Sequence, residues 1–355
     1  MKILYGVQGT GNGHIARARV MAEALKQHPD ISVDFLFTGR KPDKYFDMDV
    51  FGDYQTRRGL TFVTRQGKVS KWQTLKHADM GQFFHDVNHL KVANYDLLLN
   101  DFEPVSAWAA KRHSLPSISV SHQAAFTYDV PKKGESLYDR VITRYFAPCD
   151  IQLGVHWYHF GHAILPPFIH ETVDVTPHNQ HFLVYLPFEA LNDIKTLLTP
   201  FSHYQFHCFH PDVTQDSVEG NIHWFAPSKP KFREAQKHCA GVIANGGFEL
   251  SSECLKLGKK LLIKPLQGQY EQASNMLTLQ RLGLCTGMEK LDSDTLRSWL
   301  GTTAPDPINY PGDPTLFIEW LKQKDWHNTE TLCKSLWNNV EFPESVSQKL
   351  AALHT

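Results

Sequence analysis

Two stretches of this chain hold residues whose types and spacing suit the handling of a phosphorylated ligand. The first, Gly9-Thr10-Gly11-Asn12-Gly13-His14, follows the apolar run Ile3-Leu4-Tyr5-Gly6-Val7. A strand that turns through glycines into a helix lets a ligand approach the backbone closely and offers it the unpaired N–H groups of the helix start. A histidine at that start, His14, can move protons near neutral pH. The second stretch, Asn245-Gly246-Gly247-Phe248-Glu249 and on through Ser252 and Glu253, repeats the pattern after Gly241-Val242-Ile243-Ala244. Its N–H groups suit a diphosphate held without a metal. Glu253, about two turns into that helix, is placed to accept hydrogen bonds from both ribose hydroxyls. The adjacent pair Glu271-Gln272, at a helix start after a strand, suits bidentate reading of sugar hydroxyls. Each residue alone also has a plainer reading, as a tight turn, a helix cap or a solvated polar side chain.

The elements that carry these stretches alternate between strand and helix. Residues 2–7, 31–37, 96–100 and 117–121 read as strands, with a helical face at Ile15, Ala18, Ala22 and Leu25 and a further helix through Trp108. After Pro166, Pro167 and Pro177 the alternation restarts, with strands at 181–186, 203–209, 240–244 and 260–264 and helices at 248–257 and 270–282. This pattern predicts an α/β chain of two doubly wound Rossmann-like domains, 1–165 and 178–325, facing across a cleft at the strand C-termini. Residues 326–355 read as a helical tail that packs back on the first domain. Gly9 and Gly11 begin a dinucleotide fingerprint, but His14 stands where its third glycine belongs, and the second strand ends Phe37-Thr38-Gly39-Arg40 without an acidic residue. No dinucleotide cofactor is expected.

Composition narrows the class. A net charge of −1 gives no global reason to expect nucleic acid. The six cysteines form no CxxC pair, which fits a reduced, cytoplasmic chain. The N-terminal apolar run is too short and too glycine-interrupted for a signal peptide, and no apolar run approaches the length of a membrane span. The histidines show no zinc spacing: His203, His207 and His210 lie on or after one strand, the first two on one face by parity, with no third ligand. Asp47-Met48-Asp49 spells the DxD of metal-dependent transferases but lacks their surrounding pattern, so no metal is expected.

In order along nearly its whole length, the sequence resembles the GT-B glycosyltransferases that use nucleotide-diphosphate sugars. It is similar to the bacterial peptidoglycan N-acetylglucosaminyltransferase and to the plant and animal UDP-glycosyltransferases, on Gly9–His14, on Gly247, Ser252, Glu253, Gly258 and Pro265, and on Glu271, Gln272 and Asn275. It departs from the plant enzymes in carrying Asn245-Gly246-Gly247-Phe248 where they carry His-Cys-Gly-Trp, and from the peptidoglycan enzyme in carrying Leu186-Pro187-Phe188-Glu189 in place of a glycine-rich loop. The resemblance implies a metal-free, inverting transfer of a sugar, a UDP-linked hexose or N-acetylhexosamine, to a glycan or lipid-linked acceptor. It assigns the donor to the second domain, at Gly246, Gly247, Phe248, Ser252, Glu253, Glu271 and Gln272, with Phe225 framing the base and Gly11 and Gly13 approaching from the first.

An inverting transfer needs a base for the acceptor hydroxyl. His14 is the candidate; the similar plant enzymes pair this histidine with an aspartate at a strand end, the place of Asp101 here. Glu103, two residues on, is the competing base and an acceptor contact. Ser121-His122-Gln123 resembles a stretch lining the acceptor side of the peptidoglycan enzyme, which makes His122 a second acceptor residue. Between Arg57 and Lys76 the chain holds basic residues and no carboxylate, so Arg65 and Lys68 are expected either on a solvated loop or at an anionic acceptor. Peripheral contact with the inner face of the cell membrane is a further expectation. Two other readings share the fold: a UDP-N-acetylglucosamine 2-epimerase, which needs several carboxylates around the sugar where the cleft offers Glu249, Glu253 and Glu271, and a nucleotide-sugar-binding protein without turnover.

Overall fold

The apolar run at the start of the chain forms β1 (Lys2–Gln8), buried from Ile3 onward, as a central strand of a parallel sheet must be. Its side chains alternate: Ile3, Tyr5 and Val7 join one apolar cluster and Leu4 the cluster on the opposite face. The architecture is that of a computed structural model, which describes residues 1–60, 64–65, 68–69, 79–169 and 178–353, with the main chain alone at 64–65, 68–69, 178–180 and 353.

The first half continues through α1 (Asn12–Leu25), β2 (Ser32–Thr38), β3 (Gln55–Arg57), the short hairpin of β4 (Thr64–Arg65) and β5 (Lys68–Val69), α2 (Met80–His89), β6 (Leu97–Asp101) and α3 (Pro104–His113). It closes with β7 (Ser117–Ser121), α4 (His122–Ala125), α5 (Leu137–Tyr145), β8 (Ile151–Val155) and β9 (Ile164–Leu165). Strands order as β3-β2-β1-β6-β7-β8-β9, all parallel. Chain direction across the sheet reverses between β2 and β6, on either side of β1, which puts the ends of β1 and β6 at the switch point where such sheets bind ligands.

The second half repeats the plan. Its elements are β10 (His178–Tyr185), α6 (Leu191–Leu198), β11 (Gln205–Phe209), β12 (Ser217–Glu219), β13 (Ile222–Phe225), α7 (Lys229–His238), β14 (Cys239–Ala244), α8 (Phe248–Lys256), β15 (Lys260–Ile263), α9 (Tyr270–Arg281), β16 (Thr286–Gly287) and α10 (Ser293–Leu300). The sheet runs β12-β13-β11-β10-β14-β15-β16, parallel except for the edge strand β12. Phe182 and Val184 face one apolar cluster and Leu183 the other, so helices cover both faces here too.

Three helices end the chain: α11 (Thr315–Gln323), α12 (Thr329–Trp337) and α13 (Glu344–Leu353). They return to the first half. Trp337 donates its indole N–H to the carbonyl of Ile164 (2.7 Å), Phe317 packs on Phe168, and Glu319 and Lys322 pair with His28 and Asp30.

The histidine pattern differs from the sequence reading. His203 lies ahead of β11, so it does not share a strand face with His207. His207 instead sits between His181 of β10 and His223 of β13, with ring centroids 3.6 and 5.0 Å away. Burial, and then the neighbouring His223, push His207 down to about 4, so its ring sits uncharged between the two others near neutral pH. Among the described residues no group of histidines, cysteines and carboxylates has the arrangement of a metal site.

Candidate active site

α1 begins at Asn12, earlier than periodicity alone suggests, and this places His14 within the first helical turn. The N-cap is Gly11, which has no side chain to cap the helix, so no side chain fills the first N–H groups. α8 starts in the same way, with Gly247 as an N-cap and no side-chain hydrogen bond. The preceding Gly246 has φ +84°, and a Cβ there would stand 2.7 Å from Ile263. Only glycine makes that turn comfortably. The two helix starts meet: a Cβ on Gly13 would lie 3.1 Å from Cγ of Glu249.

At this junction the side chains form a chain of hydrogen bonds. His14 Nδ1 lies 2.7 Å from Oδ1 of Asp101, which ends β6 and is fully buried. Arg17, one turn beyond His14, donates Nε to Asp101 Oδ2 (2.9 Å) and Nη2 to Asp101 Oδ1 (2.8 Å). Its Nη1 pairs with Glu249 of α8. Burial alone would raise Asp101, but the charges of Arg17 and His14 outweigh it and hold the carboxyl below its usual range. For Glu249 the balance reverses: burial, with the nearby carboxylates Glu253 and Asp101, overcomes Arg17 and pushes it up to about 8. Among the described residues nothing hydrogen-bonds His14 Nε2, so with Nδ1–H given to Asp101 this nitrogen is the one able to accept a proton.

Sequence reasoning brought His14 and Asp101 to one site but assigned Arg17 no role. The signal was a charged residue on the helical stripe of Ile15 and Ala18, where burial demands a partner.

Three other residues expected at the ligand, Glu103, His122 and Ser252, are corrected. Glu103 does not open to the cleft. It is the buried N-cap of α3, where its carboxylate accepts the N–H groups of Val105 and Ser106 and the hydroxyls of Ser106 and Thr38. It is therefore neither an accessible base nor an acceptor contact. His122 is equally buried, with Nδ1 2.8 Å from the carbonyl of Val155, Nε2 2.7 Å from Asn275 Oδ1, and its ring stacked on Phe248 at 4.1 Å. It joins the two halves instead of lining an acceptor site. Ser252 is buried too, accepting from the indole N–H of Trp157 (2.8 Å) and donating to the carbonyl of Phe248 (2.8 Å). The ring of Phe248 packs between His122 and Trp157, which leaves only its main chain for a ligand.

The remaining donor-side residues surround the start of α8 and α9. Glu253 holds Gln236 with one oxygen (2.9 Å). Glu271 accepts from Gln123 of the first half (3.0 Å), and Gln272 braces the turn before it by accepting from the N–H of Leu266 (2.8 Å). Phe225, half-buried at the end of β13, stacks on Phe209 at 4.8 Å. Asp47 of the DxD pairs with Lys229 and Arg19, consistent with a structural carboxylate. Arg65 and Lys68 face each other across the β4–β5 hairpin, and their side chains lie outside the described residues.

Beside α9 opens a cavity of about 1230 Å³, lined from the first half by Lys133 and Asp139 and from the second by Glu189, Lys264, Tyr270 and Glu289. Its floor carries the Lys264–Glu189 ion pair. Asp139 belongs to α5, whose opposite stripe, Leu137, Val141 and Tyr145, is exposed beside Arg140 and Arg144.

The sequence profile of glycosyl transferase family 1 matches residues 1–303. No curated protein sequence matches the chain. Solved structures that share its fold include the glycotransferase of kitacinnamycin (12% identity, 86% of this chain and 91% of that one, TM-score 0.59). MurG from Acinetobacter baumannii also resembles it (13% identity, 91% and 99%, TM-score 0.53), as does a UGT transferase from Siraitia grosvenorii in complex with UDP (12% identity, 99% and 98%, TM-score 0.56). With the profile covering most of the chain and both sheets arranged as in these enzymes, the chain belongs to glycosyl transferase family 1 and has the GT-B fold.

Proposed function

We propose that the chain moves a sugar from a UDP-linked donor, a hexose or N-acetylhexosamine, to a hydroxyl of a glycan or lipid-linked acceptor, with inversion and without a metal. The observation that carries this reading is the His14–Asp101 pair set against the glycine-capped start of α8. In the proposed step the acceptor oxygen attacks the anomeric carbon as its proton passes to His14 Nε2. The bond from that carbon to the diphosphate breaks, and the electron pair leaves with the phosphate oxygen. Asp101 stabilises the imidazolium through Nδ1–H. The free N–H groups at Gly247 and Phe248 would meet the charge on the departing diphosphate, the task a metal performs elsewhere. Glu253 and the Glu271-Gln272 pair are the proposed contacts for ribose and sugar. The crystallised complex of the Siraitia grosvenorii enzyme with UDP supports the choice of nucleotide.

A thermal-shift assay tests the donor site. Saturating UDP at about 100 Kd stabilises a binding protein by about 2.7 kcal/mol, or roughly 4 °C for a chain of this size. That rise is expected with EDTA present. No shift with any nucleoside diphosphate would sink the reading.

For the acceptor, the cavity beside α9 supports a polar, glycan-sized group, since both signs of charge line it. The exposed stripe of α5 supports a lipid carrier: Leu137, Val141 and Tyr145 recur at helical spacing with Arg140 and Arg144 alongside, the arrangement that lies on anionic membranes. Sedimentation with vesicles containing anionic lipid is expected to capture the protein, and Leu137→Glu with Val141→Glu to weaken capture roughly tenfold. Equal capture of both proteins would remove the membrane from the reading.

A further inference from the structure

We propose that Arg17 is a positioning residue for the transfer: it fixes the carboxylate of Asp101 in the plane His14 needs and, through Glu249, ties that placement to the approach of the two helix starts. The inference rests on the reading of His14 as the base.

A carboxylate held by one histidine keeps a soft terminal torsion. Asp101 is held otherwise. Oδ1 is shared by His14 Nδ1 and Arg17 Nη2, and Oδ2 is taken by Arg17 Nε. The guanidinium is planar, so these two parallel hydrogen bonds set the carboxylate plane as well as its distance. Arg17 is itself buried, 3% exposed, and its third corner is spent on Glu249, 232 residues further along the chain. The bare Gly13 leaves the room in which Glu249 packs. The placement of the base's partner thus depends on a contact that exists only while the two halves meet here.

The arginine also brings charge into a crowded site. The titratable groups around it are Asp101 at the end of β6, Tyr5 on β1, His14 on α1, Glu249 on α8 and His122 at the start of α4. Arg17 offsets the charge of Asp101 and helps hold that carboxyl ionised beside His14.

The test is kcat and KM, measured separately, for Arg17→Met, Arg17→Lys and His14→Ala, with the UDP thermal shift as a measure of the donor site. Arg17→Met, which removes charge and fork, is expected to lower kcat about 10–100-fold at unchanged KM and unchanged UDP shift. Arg17→Lys keeps the charge but loses the fork, so kcat falls here too. A purely structural role would lower the amount of folded enzyme and leave its kcat per folded molecule in place. Should Arg17→Met fail to fold, Glu249→Ala and Glu249→Gln decide with Arg17→Lys: the alanine variant lowers kcat about tenfold at an unchanged UDP shift, and glutamine, which still accepts from Nη1, restores it. Wild-type kcat in the Arg17 and Glu249 variants, beside an inactive His14→Ala, would overturn the proposal. Full turnover by His14→Ala would overturn the base assignment instead.

Discussion

Replacing His14 by alanine is expected to lower kcat by about 10²–10⁴-fold, the span of a lost general base, while the thermal shift with UDP stays within a degree of wild type. The expectation follows from where the side chain stands. His14 occupies the first turn of α1, 14% exposed, with Nδ1 held by Asp101 and Nε2 hydrogen-bonded to none of the described residues. Alanine removes the proton acceptor but keeps the helix, because alanine is a good helix former, and it leaves the glycine turn at Gly246 and Gly247 untouched. A loss confined to turnover identifies an interaction made in the transition state. Glu103 cannot substitute, since four hydrogen-bond donors already occupy its carboxylate at the start of α3. Full turnover by the variant in a steady-state assay would refute the assignment.

How much of this site the sequence made legible depended on the range of the interactions. The strand–glycine–helix units around His14 and Gly247 could be read directly, because every residue that shapes them is local. The burial of Glu103 and Ser252 is harder to read, because part of what encloses each lies elsewhere: Thr38 is 65 residues from Glu103, and Trp157 is 95 from Ser252. One local clue existed. Glu103 stands directly before Pro104, and proline favours the first position of a helix, which makes the residue ahead of it the cap. His122 follows the same rule of range, since Val155 and Asn275 saturate its ring from two other elements. Strands of two residues, β9 and β16, carry no period to detect, and their pairing partners alone define them.

The second large effect concerns Asp101, where stability and catalysis separate by substitution. Asp101→Ala strips the buried Arg17 of its bidentate partner. Breaking a buried pair on one side costs about 3–5 kcal/mol, a large share of the 5–15 kcal/mol that holds an ordinary domain. Differential scanning calorimetry should record a drop of roughly 4–7 °C. Glu249 moderates the loss in a pH-dependent way. Asp101 is one of the charges that keep Glu249 up at about 8, so in Asp101→Ala this carboxyl ionises more readily and pairs with Arg17. A carboxyl with a raised folded value holds its proton in the folded state, and below that value it offers Arg17 no charge. The deficit of Asp101→Ala should therefore be larger at pH 6 than at pH 9, where Glu249 is ionised. Asp101→Asn keeps the shape but cannot satisfy both neighbours: an amide that turns its oxygen to His14 sets its N–H₂ against Arg17 Nε, and the reverse turn forces the wrong imidazole tautomer. Turnover should fall about 10³-fold or more in Asp101→Asn, with a smaller drop in melting temperature than in Asp101→Ala. Equal stability of wild type and Asp101→Ala at both pH values would show that Arg17 does not depend on this carboxylate, and would break the chain of hydrogen bonds on which the placement of His14 has been argued.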